Sequence, residues 1–431
     1  MLTGRPGQAF RRWAVTPALI AFVASPKVRR SPMPLYRALH RIDPFHHSPV
    51  GIWLVTSQPA VAALLRSPGV SSDESNADMS ALHLGLLGRG GVTPTPEELE
   101  ALANRPFSRL FRHLLLFLDA PDHPRIRGLV SKAFTPRRVE ALECRVTELV
   151  EELLEPISAR GRMEFLSEFA YPLPARVICE LLGVPAADSE LIMRSAPAIA
   201  AALDPAPMRS DAGREATDHA VEELTEYLDG LIESRRRQPG TDLLSALVEV
   251  ESDGDRLSPD EPMATVILLL IAGHETTANV MGNGLRSLLR HPGQLALLRD
   301  DESVARTATE ELLRYDGPIN MAERITMQDL DLLGGHIPAG RIVVLLLAAA
   351  NRDPEVFPHA NQLDLRRDPN PHVAFGGGPH FCLGASLARM ETRVALPALL
   401  RRYPGLRLDG PSPRYRPSFT IRGLENLNLT W

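Results

Sequence analysis

Lysine is nearly missing from this 431-residue chain: Lys27 and Lys132 are the only two, and arginine carries the rest of the positive charge. With 47 basic and 53 acidic residues the formal net charge is −6, so the chain as a whole offers no basic field to a nucleic-acid backbone. Cysteine is equally scarce. Cys144, Cys179 and Cys382 are odd in number, far apart and outside any Cys-x-x-Cys spacing. That argues against a disulfide framework and a structural zinc site and fits a reducing cytoplasm. Internal repeats, low-complexity tracts and an obvious interdomain linker are also missing. What is present, 44% apolar and 23% charged residues, suffices for a large ordered core.

The first 30 residues carry six cationic side chains, no acidic ones and the short apolar run "WAVTPALIAFVA". This outline resembles a signal peptide. However, the run is too short to span a bilayer, Pro17 interrupts it, and a second basic cluster, "PKVRR", follows. Residues 1–40 are therefore expected to form a basic surface arm, loosely membrane-associated at most, ahead of a single domain over 41–431. No transmembrane helix is evident in the sequence.

From about residue 120 to 320 the pattern is helical. "PRRVEALECRVTELVEELLEPI" places Val139, Leu142, Val146, Leu149, Val150 and Leu153 at helical spacing, with Pro136 near its start. Segments 174–182, 186–203 and 214–237 read the same way, separated by proline clusters such as "LDPAPM". "GIWLVTS" and "GRIVVLLL" are short, β-branched or apolar and bounded by turn residues, which predicts strands. The fold class is mainly α with a minor β part.

One segment predicts a helix that crosses the middle of the protein. "SPDEPMATVILLLIAGHETTANVMGNGLRSLLRHP" opens with Ser258 as N-cap, Pro259 at the first helical position and Glu261 three residues after the cap. It runs to about Arg290, roughly 45 Å at 1.5 Å per residue, and "TVILLLIAG" is apolar on every side. Within it, "AGHETT" places Glu275, Thr276 and Thr277 where burial is costly unless each finds a partner. The Thr276 hydroxyl can reach the carbonyl of Ala272, opening a groove beside Gly273. This is either a satisfied polar pair at a bend or a proton-delivery pair beside a ligand, with Ala272 and Gly273 leaving room for it. His274 and Glu275 begin an His-Glu-x-x-His zinc motif that fails, because position 278 is alanine.

"FGGGPHFCLG", residues 375–384, sets Cys382 behind three glycines, a proline and a histidine. As a nucleophile it lacks a third group to orient His380. As a zinc site, His-x-Cys supplies only two ligands. A haem iron needs one protein ligand on its proximal side, and a thiolate serves. "CLGASLARMETRVALPALLRR" predicts a helix beginning at the cysteine, whose free N–H groups and dipole would favour S⁻. Gly376, Gly377 and Gly378 allow a sharp turn and a close approach to a flat macrocycle. Pro397 predicts a kink or an early end to that helix.

"FGGGPHFCLG" resembles, position by position, the haem-binding signature Phe-Gly-x-Gly-x-His-x-Cys-x-Gly of the cytochrome P450 monooxygenases, with Phe375, Gly376, His380, Cys382 and Gly384 on its fixed positions. "AGHETT" is similar to the family's oxygen-activation motif, and "EELLRY" holds its Glu-x-x-Arg pair as Glu311 and Arg314. "ANRDPEVFP" and "DAPDHPRIRGLVSKAFTPRRV" also match in the family's order, the latter like bacterial soluble members. The resemblance covers about residues 45–425. It implies the P450 fold, with haem b between the long central helix and the cysteine-loop helix. It also implies Cys382 as axial thiolate and metal ligand, with His123, Arg127, Arg324 and His380 holding the propionates, Arg being well shaped to bind a carboxylate. Glu311 and Arg314 are expected as a structural ion pair.

The implied activity is insertion of one oxygen atom from O2 into an apolar small molecule, by C–H hydroxylation or epoxidation, with Glu275 and Thr276 relaying protons. With no flavin, nicotinamide or iron–sulfur motif in the chain, electrons are expected from separate proteins, a ferredoxin and its reductase. Arg389 and Arg393 are candidates for the docking face, or for an ordinary solvated helix face. A monomer without nucleic-acid partner or stable membrane insertion is expected. Pocket walls are implied near 75–115, 190–215, 318–322 and 417–420, and "NRPFSRLFRHLLLFL" with the face from Leu268 to Ala272 suggests an apolar ligand. A peroxide-driven relative, a haem sensor and a cysteine hydrolase are the rivals; the first would not need the acid–alcohol pair.

Overall fold

The helix Asp260–Leu289 is the axis of the molecule, and it is buried along nearly its whole length. In the computed structural model, which describes residues 8–77, 96–133, 136–205, 209–249, 260–332 and 335–431, this helix packs most extensively against four others. They are Pro172–Leu182, Ser189–Ala201, Ala305–Asp316 and Ala385–Arg402. Its composition alone would let it cross a membrane, but protein buries most of its apolar face. Leucine and isoleucine on all sides are satisfied here by helices on all sides. Ser258 and Pro259, expected to start it, lie outside the described residues; Glu261 in its first turn accepts from Arg125 Nη1 at 3.1 Å.

The β part is small and mixed. Five short strands stand in the order 45–47, 53–55, 342–345, 322–326, 70–71. The two predicted strands are neighbours: Trp53–Val55 runs parallel to Ile342–Leu345, with Leu54 opposite Val344. Ala322–Thr326 pairs antiparallel on the other side, setting Arg324 opposite Val343. Two smaller sheets, of three and two strands, complete the β part among the described residues.

Three sequence expectations change. The helix read from Pro136 onward is two, Pro136–Glu140 and Glu143–Leu154. Leu142 N–H donates to Val139 O at 3.0 Å, a tight i−3 turn, and because Val139 and Val146 are buried on both sides of it, the apolar spacing conceals the break. The cysteine-loop helix starts at Ala385, three residues after Cys382, and runs through Pro397 to Arg402. There the lost N–H bond is offset by burial of Leu396, Pro397, Leu399 and Leu400. Finally, the N-terminal segment is docked rather than free: Val15, Phe22, Leu35, Tyr36 and Leu39 share a buried cluster with Val344, Leu346 and Phe419. The Phe22 ring meets Phe419 edge-on at 5.3 Å.

Candidate active site

The central helix is open along one strip only. Between Glu261 and Leu285 every residue is buried except Leu268, Leu269, Ala272, Gly273 and Thr276. Spaced at i, i+4 and i+8, these lie on one face, so a helix otherwise wrapped in protein keeps a single accessible stripe. The Thr276 hydroxyl donates to Ala272 O at 2.6 Å, as the spacing predicted, and the helix continues unbroken. A Cβ on Gly273 would touch only Ile178, at an ordinary 3.7 Å, so protein packing does not demand glycine there.

Glu275, next to this stripe, is buried and held from afar. Its Oε1 accepts from Asn279 Nδ2 at 3.0 Å and from Arg416 Nη2, and Tyr171 Oη lies 3.5 Å away. Arg416 Nη2 also bonds Asn279 Oδ1 at 3.1 Å. The three contacts of Glu275 fall on one carboxylate oxygen; Oε2 is buried with no protein partner. Gly423 makes the arrangement possible, since a Cβ there would overlap both Asn279 Oδ1 and Arg416 Nη2. Sequence reasoning paired Glu275 with Thr276 and missed Tyr171, Asn279 and Arg416. Asn279 sat one helical turn on and was the one findable partner. His274 is fully buried, and burial pulls its imidazole down to about 4, so it is neutral at pH 7.

The cysteine loop is shaped by two glycines in the left-handed region, Gly376 at φ 69° and Gly378 at φ 63°. At Gly378 a side chain is excluded twice over, because a Cβ would run into the Leu65 carbonyl. Gly377 is extended and Gly384 is open around its Cα, so neither needs glycine for its conformation. Cys382 N–H donates to Phe375 O at 3.0 Å, closing the loop and fixing where the sulfur sits. Cys382 is accessible as a residue, but it faces an opening inside the protein and dense protein surrounds its sulfur. Desolvation pushes its thiol up, and the N–H of Gly384 with the charges of Arg127 and Arg389 only partly offsets this. The favourable helix terminus foreseen from the sequence therefore does not by itself ionise the sulfur; a bound metal would do so outright.

Around the loop stand two guanidiniums and two imidazoles from three separate parts of the chain. His123 and Arg127 lie on helix Asp122–Ala133, Arg324 on the sheet, and His380 in the loop. The two imidazole rings are 4.0 Å apart at 37°. Burial and the neighbouring His123, Arg324 and Arg127 pull His380 down to about 3, and His123 is lowered by burial and Arg127. Buried His123 Nε2 has no partner. Arg127 Nη2 reaches only the Phe381 carbonyl, at 2.5 Å, and buried Arg324 only the carbonyl of Glu323, at 2.6 Å. The one acid that acts on His123 and Arg324 is Asp119, already occupied by Ser71 and Ser72. Two guanidiniums without a carboxylate partner, beside two neutral imidazole donors, suit an external dianion. A haem, with its two carboxylates beside the cations and its iron at the sulfur, fits this set of donors.

Glu311 and Arg314 are fully buried and joined by two 2.7 Å bonds. Arg314 also donates to the carbonyls of Asn351 and Ala360, and Glu311 accepts from Arg367 Nε at 3.1 Å and Asn370 Nδ2 at 3.1 Å. The closed network ties this helix to the segment leading into the cysteine loop. Arg389 and Arg393, considered for docking, are engaged instead: Arg389 forks onto Glu310 and lies 4.3 Å over Phe375, and Arg393 pairs with Glu143. Of the implied pocket walls, residues 78–95 and 206–208 lie outside the described residues.

Known proteins resemble this chain over most of its length. The family model described as Cytochrome P450 matches residues 198–419. The chain is 41% identical to cytochrome P450 monooxygenase PikC of Streptomyces venezuelae, over 93% of this chain and 91% of that one. It is 39% identical to vitamin D(3) 25-hydroxylase of Pseudonocardia autotrophica, over 93% and 94%. Among solved structures, ligand-free CYP164A2 of Mycobacterium smegmatis superposes with a TM-score of 0.84 at 39% identity, covering 96% of this chain and 100% of that one.

Proposed function

This chain belongs to the cytochrome P450 family of haem b monooxygenases, and on that premise we propose that it oxidises an apolar small molecule by C–H hydroxylation or epoxidation. In this reading the Cys382 thiolate would ligate the haem iron, and His123, Arg127, Arg324 and His380 would hold the propionates. Phe375 and Gly376 shape the loop around the sulfur, Gly384 lends it a backbone N–H, and Ala272 and Gly273 would leave room for the macrocycle. When bound, thiolate-ligated haem supplies the O2-activating chemistry. The carrying observation is the single open stripe on an otherwise buried helix, flanked by an acid and an alcohol.

The chain's own residues have separable tasks. Leu268 and Leu269 present an apolar surface to the substrate and exclude water. The vitamin D hydroxylase among the relatives acts on a ligand of that character. Thr276, anchored on the Ala272 carbonyl, holds a hydroxyl on the stripe. Glu275, with Oε1 fixed by Arg416 and Asn279, keeps Oε2 free to take up and pass on a proton. Electrons come from separate proteins, a ferredoxin and its reductase, to a monomeric enzyme in the cytoplasm. Residues 41–431 form the haem domain and 1–40 a basic arm, of which the described part packs on it through Val15 and Phe22.

The reduced carbon monoxide difference spectrum tests the core of this reading. A strongly red-shifted Soret band, lost in Cys382→Ala, is expected. A band at the shorter wavelength of histidine or thiol ligation overturns the assignment of the sulfur. Turnover with hydrogen peroxide alone, equal to that with reductant and O2, overturns the proton-relay assignment.

A further inference from the structure

A second concave site lies away from the haem. It is a cavity of about 440 Å³, within the size range of small-molecule sites. Six arginines line it, and Asp316 is the one acid in its lining. Arg286 on the central helix marks its position: ten residues beyond Thr276, about 15 Å along a continuous helix.

The charges do not cancel. Arg422, 8% exposed, donates to Asp316 Oδ1 at 2.7 Å, and Arg30 pairs with Glu425. Arg352 is taken up by the Tyr315 carbonyl and stacks on the Tyr315 ring at 3.9 Å. Arg286, Arg290 and Arg414 have no carboxylate partner among the described residues. Arg286 stacks on Tyr415 and bonds its hydroxyl at 3.0 Å, but its Nε is buried with no partner at all. The C-termini of Asp260–Leu289 and Ala305–Asp316 also end at this cavity, and each contributes roughly half a negative charge. Even so, about two to three positive charges remain unanswered around one concave volume. Arg290 and Arg414 stand exposed at the rim and Arg286 is half-buried beneath them, so solvent eases their repulsion while no protein carboxylate relieves it.

We propose that this cavity binds a small phosphate-bearing anion. Guanidinium forks match phosphate oxygens, and three of them, Arg286, Arg290 and Arg414, carry no carboxylate among the described residues. The volume exceeds what one phosphate fills, so the ligand is a phosphate ester or a diphosphate. Stacking on Tyr415 and Tyr315 holds Arg286 and Arg352 in place before the ligand arrives.

The test uses the haem-loaded enzyme and inorganic pyrophosphate at constant ionic strength, read by titration calorimetry and thermal unfolding. One saturable site per chain and a raised Tm are expected, with an unchanged Soret spectrum. Arg286→Gln with Arg290→Gln should weaken binding about tenfold or more, since each removes a charge-assisted contact. The exposed Arg414→Gln, which disturbs no internal bond, should weaken it several-fold and guards against a double variant that fails to fold. Absence of saturable heat, equal binding by wild type and Arg414→Gln, or a Soret shift on addition would overturn the site. So would binding seen only to phosphatidylglycerol-containing vesicles, which would make this a membrane contact.

Discussion

Thr276 and Glu275 show how differently two adjacent residues depend on their surroundings. Thr276 is anchored by its own helix, through the Ala272 carbonyl at 2.6 Å. Thr276→Ala should therefore fold normally and lose only the hydroxyl on the stripe. Product formed per NADPH consumed should fall several-fold while hydrogen peroxide rises, and an unchanged ratio would remove Thr276 from proton delivery. Glu275 is anchored by Arg416, 141 positions away. Arg416→Leu strips the cation from a carboxylate that remains 1% exposed. A fully buried pair broken in this way costs about 3–5 kcal/mol; with Arg416 partly exposed the loss should be smaller but visible in thermal unfolding. Because the proton carrier also loses its positioning, the solvent isotope effect on turnover should change, which a purely structural arginine would not cause. This contrast also explains what the sequence disclosed. The Thr276 bond, the Cys382 loop and the Glu311–Arg314 pair follow from spacings of three to ten residues. Arg416, Tyr171 and Arg367 reach their partners only through the tertiary fold, and no local pattern marks them.

At the scale of elements, periodicity was legible and interruption was not. The central helix and the two strands fell where apolar spacing put them, whereas the turn at Leu142 and the passage through Pro397 depend on what packs alongside. The helix Ala385–Arg402 carries a further feature that its sequence concealed. Glu391 is fully buried, its Oε2 has no partner, and desolvation pushes it up to about 8. The sign is that of an acid raised by folding. Below about pH 4.5 folded and unfolded chains both hold the proton; between there and pH 8 only the folded chain does. Stability should accordingly fall as pH rises through that window, at up to about 1.4 kcal/mol per unit, and level off above it. Glu391→Gln keeps the shape without the titration. Urea unfolding from pH 5 to 9 should show a flatter profile and a variant more stable than wild type at pH 8; parallel profiles would mean that Glu391 is solvated in the folded protein.

For the whole molecule, the N-terminal segment decides between two uses of one apolar run. Read alone, basic residues flanking "WAVTPALIAFVA" suit a membrane surface, because an amphipathic segment with no partner seeks an interface. The fold supplies a partner: Val15 and Phe22 are buried against Phe419, Val344 and Leu346, and of that run Ile20 and Val23 stay exposed. Arg29 is likewise drawn inward, onto the Phe419 ring at 4.7 Å and the Pro417 carbonyl. With Val15 and Phe22 already covered, the described part of the run has less apolar surface to give a bilayer. Deleting residues 1–24 should therefore cost stability rather than localisation. Two large side chains leave the core, each contributing about 1.5–3 kcal/mol, and Phe419 gains a solvent-facing side. The truncated protein should unfold several degrees lower, and the intact chain should remain in the supernatant when sedimented with anionic vesicles. Unchanged unfolding together with vesicle binding by the intact chain would instead make the segment an anchor that docks on the protein only incidentally.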